Sequence, residues 1–499
     1  MSVLGVLVFL PLVAAIVLPA LARLGDRAVR WVWVTVSAVE VALTVLLWLR
    51  YRESPPAAGE FAFEQRLTWI PSLGSGYHVG LDGFSLPLVA LTTVLFLACA
   101  VYSLRETRRV RMFAALFLFL ESMCLGVFVA LDLVLFFVFF DLSIVGMYFV
   151  INGWGHARAR RAALQFFLYT FLGSLALLLG FIILYLATEP HTFDMVELTR
   201  ADPLAGNGIR GAIALAAILV GLAIKTPTVP FHTWLPLAHT EAPAAGSAIL
   251  AGVLLKLGTY GFVRIAMPLL PEAWRRYALI IVIVGVISVL YGALVALAQH
   301  NFKRMIAYTS VNHMGYIVLA VGAAGLASRN TEEARTLAVS GAVTQMVSHG
   351  LITGALFLLA GVLYERRNTY DINAFGGLAG QAPVFAALTA VAAFASLGLP
   401  GFSGFIAEFQ IFLGAFAPAP VLTALAFPGI LLTAGLFLRA YQKMFLGPQQ
   451  TTEFPDLAPR ELVSIIPLLL AALLIGILPR FLLDVIEPAA RTLGLLVVR

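Results

Sequence analysis

Long apolar runs separated by short polar segments recur along all 499 residues of the chain. Most of the runs approach the ~20 residues that an α-helix needs to cross the hydrocarbon core of a bilayer. The pattern predicts an all-α polytopic membrane protein with about fourteen transmembrane helices. They fall at 3–22, 31–50, 83–104, 112–129, 131–152, 162–187, 212–238, 243–267, 277–298, 305–326, 336–364, 383–416, 421–447 and 461–483. An even number of spans leaves both termini on one side. The longest polar connections, around 50–82 and 188–211, are too short to bury a core of their own. The apolar run from Val3 has neither a basic leader nor a small-residue cleavage signal, so it reads as the first membrane helix.

Two of these spans are too long for simple helices, and helix breakers interrupt both. One contains KTPTVPFH (225–232), where Pro227 and Pro230 remove backbone donors; the other contains SLGLPGFSG (396–404) around Pro400. Irregular backbone at membrane depth survives only inside protein or beside a water-filled cavity. Broken spans at matching places in two halves point to inverted repeats with a site near the midplane. We therefore expect a single membrane domain over 1–499, with N-terminal helices in 1–111. Two inverted five-helix repeats follow in 112–267 and 277–447, broken at about 212–238 and 383–416, and a C-terminal helix lies at 461–483.

Composition agrees with this class and narrows the partners. Hydrophobic residues make up 61% of the chain, and the mean hydropathy is +0.96. A net charge of +6 comes from loop arginines, with no basic tract of the kind that binds nucleic acid. Arginines gather after the first, third and fifth spans (Arg23, Arg27, Arg30; Arg105, Arg108, Arg109, Arg111; Arg158, Arg160, Arg161), whereas the opposite loops mix arginine with Glu53, Glu60, Glu64, Asp194 and Glu197. The positive-inside rule puts the Arg-rich loops in the cytoplasm and both termini on the outer side. Cys99 and Cys124 lack CxxC spacing, so no zinc or iron–sulfur site is expected.

Within the apolar segments, six ionisable residues carry the candidate chemistry: Asp141, Lys225, Lys256, His313, His349 and Glu408. A charge at the bilayer centre costs at least ~2.5–3.5 kcal/mol, so such groups need partners. Snorkelling fails for the lysines, because a stem of about 6 Å cannot bridge roughly 15 Å of half-membrane. A structural ion pair between Asp141 and Lys225 is the plainer alternative. The functional reading is a proton relay: opening or closing a carboxylate–lysine pair moves the lysine between binding and releasing a proton. Histidine, titrating near neutrality, suits the middle of such a row, with waters filling the gaps. Ser348, Thr344 and Gln345 share a segment with His349, and Ser310 lies near His313. His232, His239 and Glu241 flank the first break and read as the channel mouth; Pro236 and Pro243 disturb the helix, so no metal site is expected there. Lys303 and Arg304 read as headgroup or loop anchors.

Four stretches then resemble a known family. GLAIKTPTVPFHTWLPLAHTEAPAAGSAILAGVLLKLGTYGFVR (221–264), HNFKRMIAYTSVNHMGY (300–316), MVSHGLITGALFLLAG (346–361) and LGLPGFSGFIAEF (397–409) are similar to the antiporter-like subunits of respiratory complex I, the proton-translocating NADH:quinone oxidoreductase. YHVGLDGFSLPLVALTT (77–93) and MYFVI (147–151) are most similar to its subunit M branch. The resemblance implies that the family's switch glutamate falls on Asp141 and its broken-helix lysine on Lys225. The central relay lysine falls on Lys256, the linking histidines on His313 and His349, and the terminal glutamate on Glu408. Asp141 is shorter than glutamate by one methylene, ~1.5 Å, which requires closer helices or an intervening water.

The resemblance implies a proton-translocating subunit beside other membrane-arm subunits, lipid, protons and water. The chain carries no dinucleotide fingerprint and no cluster ligands, so NAD, FMN, iron–sulfur clusters and quinone are expected in partner subunits. A component of a multisubunit sodium/proton antiporter of the Mrp type shares the lysine motifs and is the alternative within the same family. A stand-alone solute symporter would instead need a midplane cavity for an organic molecule, and a purely structural scaffold would need none of the charged residues for transport.

Overall fold

The computed structural model describes residues 3–20, 25–328, 331–449 and 453–498; Arg23 lies outside them. Twelve of its helical segments are long and apolar enough to cross a membrane. The chain opens with α1 (Val3–Ala20) and α2 (Asp26–Glu53), then a β-hairpin of β1 (Ala62–Ile70) and β2 (Ser75–Leu81). Helices α3 (Ser85–Tyr102), α4 (Val110–Val129), α5 (Leu133–Trp154) and α6 (Ala159–Leu186) follow, with a short α7 (Met195–Ala201) before α8 (Gly208–Lys225) and α9 (Leu235–Glu241). A continuous helical segment then runs through α10 (Ala244–Ile249), α11 (Leu255–Gly261) and α12 (Met267–Leu269). The second half comprises α13 (Pro271–Leu297), α14 (Phe302–Leu326), α15 (Glu332–Arg367), α16 (Leu378–Gln381), α17 (Pro383–Ser396) and α18 (Ser403–Phe416). It ends in α19 (Pro420–Ala426), α20 (Pro428–Phe445), α21 (Pro459–Ile477) and α22 (Arg480–Val498).

Consecutive helices pack as antiparallel neighbours, α13 with α14 and α14 with α15, while α15 also packs on α18. With 36 residues, α15 is about 54 Å long at 1.5 Å per residue, longer than the hydrocarbon core, and its middle is buried throughout. The α10–α12 segment is buried too. Outer helices present apolar side chains such as Leu168, Leu172, Ile280 and Leu431 outward, as a lipid-facing surface requires. Polar caps set the ends: the Asp132 carboxylate accepts from Val134 and Leu135 at the start of α5, and Asn301 accepts from Arg304 at the start of α14.

Several elements differ from the sequence expectation. The connection around 50–82 is a hairpin; its strand β1 presents Leu67 and Trp69 outward, and the hydropathy window averaged its alternation away. His78 of β2 anchors it to the base of α7, with Nδ1 2.6 Å from Asp194 and Nε2 2.8 Å from Glu64. Burial opposes the imidazolium here, but the two carboxylates outweigh it and hold His78 above its usual value, while His78 and Arg66 hold Asp194 below the usual carboxylate range against the same burial. The expected last span, 461–483, ends early, because Leu478 leaves the helical region ahead of Pro479, and α22 begins beyond it. The α10–α12 segment contains two π-helical turns, Leu250–Leu254 and Phe262–Ala266.

Two of the Arg-rich connections meet. Arg109 stacks 4.6 Å over Trp154, and the Trp154 indole N–H donates to the Arg108 carbonyl, so the connections after α3 and α5 meet. Of the two anchoring readings, Lys303 takes the loop one and departs from the headgroup one. It is fully buried, donates to the Ala242 carbonyl and lies 5.1 Å from the Tyr370 ring, whereas Arg304 is exposed.

Candidate proton-transfer site

Both expected breaks are present. Helix α8 stops at Lys225 and α9 starts at Leu235, with Pro227 and Pro230 in the irregular stretch between them. The carbonyls and amides freed there find partners: the Trp234 indole N–H donates to the Ile224 carbonyl at 3.0 Å, and Val229 N–H donates to Ser288 Oγ at 3.0 Å. In the second break, α17 and α18 are joined through Gly398, Pro400 and Gly401, with Gly398 at φ +77°. A Cβ built on Gly398 would collide with Glu408 Oε2, so the turn needs glycine both for its dihedral and to leave room for the carboxyl.

Lys225 is buried at the end of α8, where its Nζ donates to Ser143 Oγ at 3.3 Å and lies 4.8 Å over the Phe140 ring. Asp141 sits beside Ser143 and Phe140 on α5 and faces Ser174 of α6; it feels the Lys225 charge without making an ion pair within 4.0 Å, and its Oδ1 has no partner. The shorter aspartate thus leaves a gap.

Lys256 is fully buried between the two π-helical turns. Its Nζ donates to the Ala251 carbonyl at 2.6 Å and to Nδ1 of His349 at 2.5 Å. The widened turn lets the lysine fold back onto a carbonyl five residues earlier, the kind of use for which π-bulges are retained. His349 then carries its proton on Nε2 and donates to Ser310 Oγ at 3.1 Å. The rings of His349 and His313 stand 5.4 Å apart. His313 Nδ1 accepts from Gln345 at 3.1 Å, Nε2 lies 3.3 Å from Ser396 Oγ, and Glu408 Oε1 is 3.7 Å from Nδ1. Ser348 meets Ser403 at 2.8 Å, tying α15 to α18 beside Glu408. Lys256, His349, His313 and Glu408 therefore form a connected set. Protonating His313 on Nδ1 would exchange the Gln345 bond for an ion pair with Glu408.

Residues 130–433 match the family described as NADH:quinone oxidoreductase/Mrp antiporter, TM. The chain belongs to this antiporter family. It is 38% identical to NADH-quinone oxidoreductase subunit M of Rickettsia conorii, covering 99% of each chain, and 37% identical to the protein of the same name from Rhodobacter capsulatus, covering 98% of this chain and 95% of the relative. Among solved structures it resembles a chain of respiratory complex I from Thermus thermophilus with bound NADH (TM-score 0.88, 31% identity, 99% of each chain). A chain of the Mrp complex from Dietzia sp. DQ12-45-1b has the same fold (TM-score 0.86, 23% identity, full coverage of both).

The residues expected at a channel mouth separate. His232 packs edge-on to Tyr291, 4.9 Å between centroids, and His239 stacks 4.5 Å from Phe357 with neither ring nitrogen partnered. Glu241 accepts from the Arg158 backbone N–H at 2.8 Å and from Arg158 Nε at 3.3 Å, and so closes that end of the bundle. Nearby, burial and the charge of Lys303 bring His156 down to about 4, so it stays neutral beside Tyr370. Among the described residues no group of three or more His, Cys, Asp and Glu side chains is arranged to hold a metal. The sequence reading omitted Ser143, Ser174, Ser396 and Ser403, the hydroxyls that link the charged residues; apolar surroundings gave them no signal beyond polarity. It also passed over Glu40 and Glu121, which lie on membrane helices and were visible as charges.

Proposed function

We propose that this chain is a proton-translocating membrane-arm subunit of an NADH:quinone oxidoreductase, in which protons move along Asp141, Lys225, Lys256, His349, His313 and Glu408. The observation that carries the reading is the unbroken set of contacts from Lys256 through His349 and His313 to Glu408, all buried in the bundle. Charged groups so placed serve proton relays. Asp141 and Lys225 act as the switch: when the gap between them closes, the lysine holds its proton, and when it opens, the proton passes on. The redox chemistry belongs to partner subunits that carry NAD, FMN, iron–sulfur clusters and quinone, and its free energy arrives as a shift in the Asp141–Lys225 equilibrium.

In this reading the twelve long apolar segments, α14, and the broken pair α17–α18 make fourteen spans, arranged as two inverted repeats whose broken helices α8–α9 and α17–α18 correspond. The protein sits in a bacterial-type inner membrane with both termini outside, a reading supported by the Arg-rich connections after α3 and α5, which meet each other. Relatedness of 37–38% over essentially the whole chain to proteins named for NADH-quinone oxidoreductase favours this assignment over the antiporter component. The test is proton translocation by the assembled complex: Lys225→Ala and Glu408→Gln should each assemble but lose translocation. Normal proton-to-electron ratios in both would end the proposal, and co-purification with cation-antiporter subunits in place of flavin and quinone-site subunits would redirect it.

A further inference from the structure

Helix α2 lies at the edge of the bundle, yet it turns a polar stripe inward. Trp33, Ser37, Glu40, Thr44 and Trp48 recur at helical spacing, and all five are buried. Ser37 Oγ donates to Glu121 Oε2 of α4 at 2.8 Å. Glu121 is 0% exposed and its Oε1 has no partner. One turn along α2, Glu40 is also 0% exposed, neither of its oxygens has a partner, and it feels the charge of Glu121. The Thr44 hydroxyl, 3% exposed, stands unpartnered one turn beyond. Among the described residues, neither carboxyl makes an ion pair within 4.0 Å.

Such an arrangement constrains charge. Two neighbouring carboxyls in a dry interior cannot both be ionised, and a single buried carboxylate without a cation needs a hydrogen-bond donor, which Ser37 gives to Glu121 alone. Among the described residues, the other titratable groups that feel Glu121 are the thiols of Cys99 on α3 and Cys124 on α4, neither of which supplies a positive charge. Cys124, one turn from Glu121, also faces Lys225. We propose that Glu40 and Glu121 form a second proton-binding site that holds one exchangeable proton between two carboxyls. Glu40, without a donor, carries the proton; Glu121 takes the negative charge with the Ser37 hydroxyl as its donor. The pair stands apart from the Asp141–Glu408 row, with Cys124, which faces both Glu121 and Lys225, between them.

The test is infrared spectroscopy of the assembled complex in membranes, recorded in water and deuterium oxide. The parent, Glu40→Gln, Glu121→Gln and the double variant are compared for the carbonyl absorption of protonated carboxyls. Glutamine keeps the size and hydrogen-bonding capacity of glutamate. The double variant should lose a deuterium-sensitive absorption equivalent to one carboxyl, and Glu40→Gln should lose or shift the same absorption. If the double variant does not assemble, the single variants carry the same comparison. An unchanged spectrum, or an absorption displaced by added sodium and hence a cation site, overturns the proposal. The readout does not depend on translocation, so its failure is distinguishable from failure of the Asp141–Glu408 relay.

Discussion

Lys256 Nζ points at Nδ1 of His349, 2.5 Å away, and the two groups cannot both be cationic at that separation. A proton on the ammonium excludes one on the imidazole, so the pair holds a single charge rather than two. His349→Ala should therefore leave the complex assembled while slowing translocation by at least about tenfold, a barrier increase of ~1.4 kcal/mol or more. Proton uptake by inverted membrane vesicles during turnover checks this; a wild-type rate would remove His349 from the path.

The second break depends on a residue that carries no charge. Gly398→Ala would thrust a methyl group into Glu408 Oε2 and impose positive φ on an L side chain, whereas a Cβ on Gly401, at φ +100°, meets nothing within 4 Å. Backbone strain of this kind is worth roughly 1–3 kcal/mol at either position. Only Gly398→Ala also displaces the carboxyl. The expected outcome is a complex with a reduced proton-to-electron ratio for Gly398→Ala and a normal ratio, with lower yield at most, for Gly401→Ala. Equal ratios in the two variants would show that the carboxyl's position is unimportant.

Asp141 offers a test by length. Because it stops short of an ion pair with Lys225, whose Nζ bonds Ser143 instead, Asp141→Glu should be tolerated and should strengthen the pair. Asp141→Asn removes the charge that the switch requires and should lower translocation by at least about tenfold. Rates for both, normalised to assembled complex, decide the matter. Loss of translocation with the longer glutamate would show that the gap is required.

How far these features were legible in the sequence depended on the kind of signal. Hydropathy delivered the long helices, and the prolines in KTPTVPFH and SLGLPGFSG located both breaks, because proline leaves a local mark on the chain. The six candidate residues stood out as ionisable groups in apolar segments. Their partners did not: Ala251 is reached only because the helix widens to π geometry, which no periodicity announces. Lys303, near a helix start, read as an anchor to headgroups or to a loop; the sequence could not choose, and the fold chooses the loop by covering that end with Tyr370 and the α9–α10 connection. Helix α22 was hidden because Asp484, Glu487 and Arg491 interrupt its apolar positions, a pattern suited to a helix packed along the bundle surface.

The hairpin anchor gives a prediction in pH. His78 has a folded-state value raised by Asp194 and Glu64, so the stability it contributes is full below its unfolded value and is lost as pH rises through the raised one. Asp194 has a lowered folded-state value, so its contribution is present above the unfolded carboxylate range and is lost as pH falls through the lowered one. The contact should therefore be strongest between the unfolded values of the two groups, about 3.9 and about 6.5, and should weaken on either side. Amide hydrogen exchange of residues 62–81, followed against pH in the intact complex and corrected for intrinsic exchange, should show greatest protection in that window. His78→Gln keeps a hydrogen bond but loses the charge, so protection in that variant should no longer fall on the alkaline side. A protection profile in the parent that keeps rising above neutrality would show that the His78–Asp194 pair does not hold the hairpin.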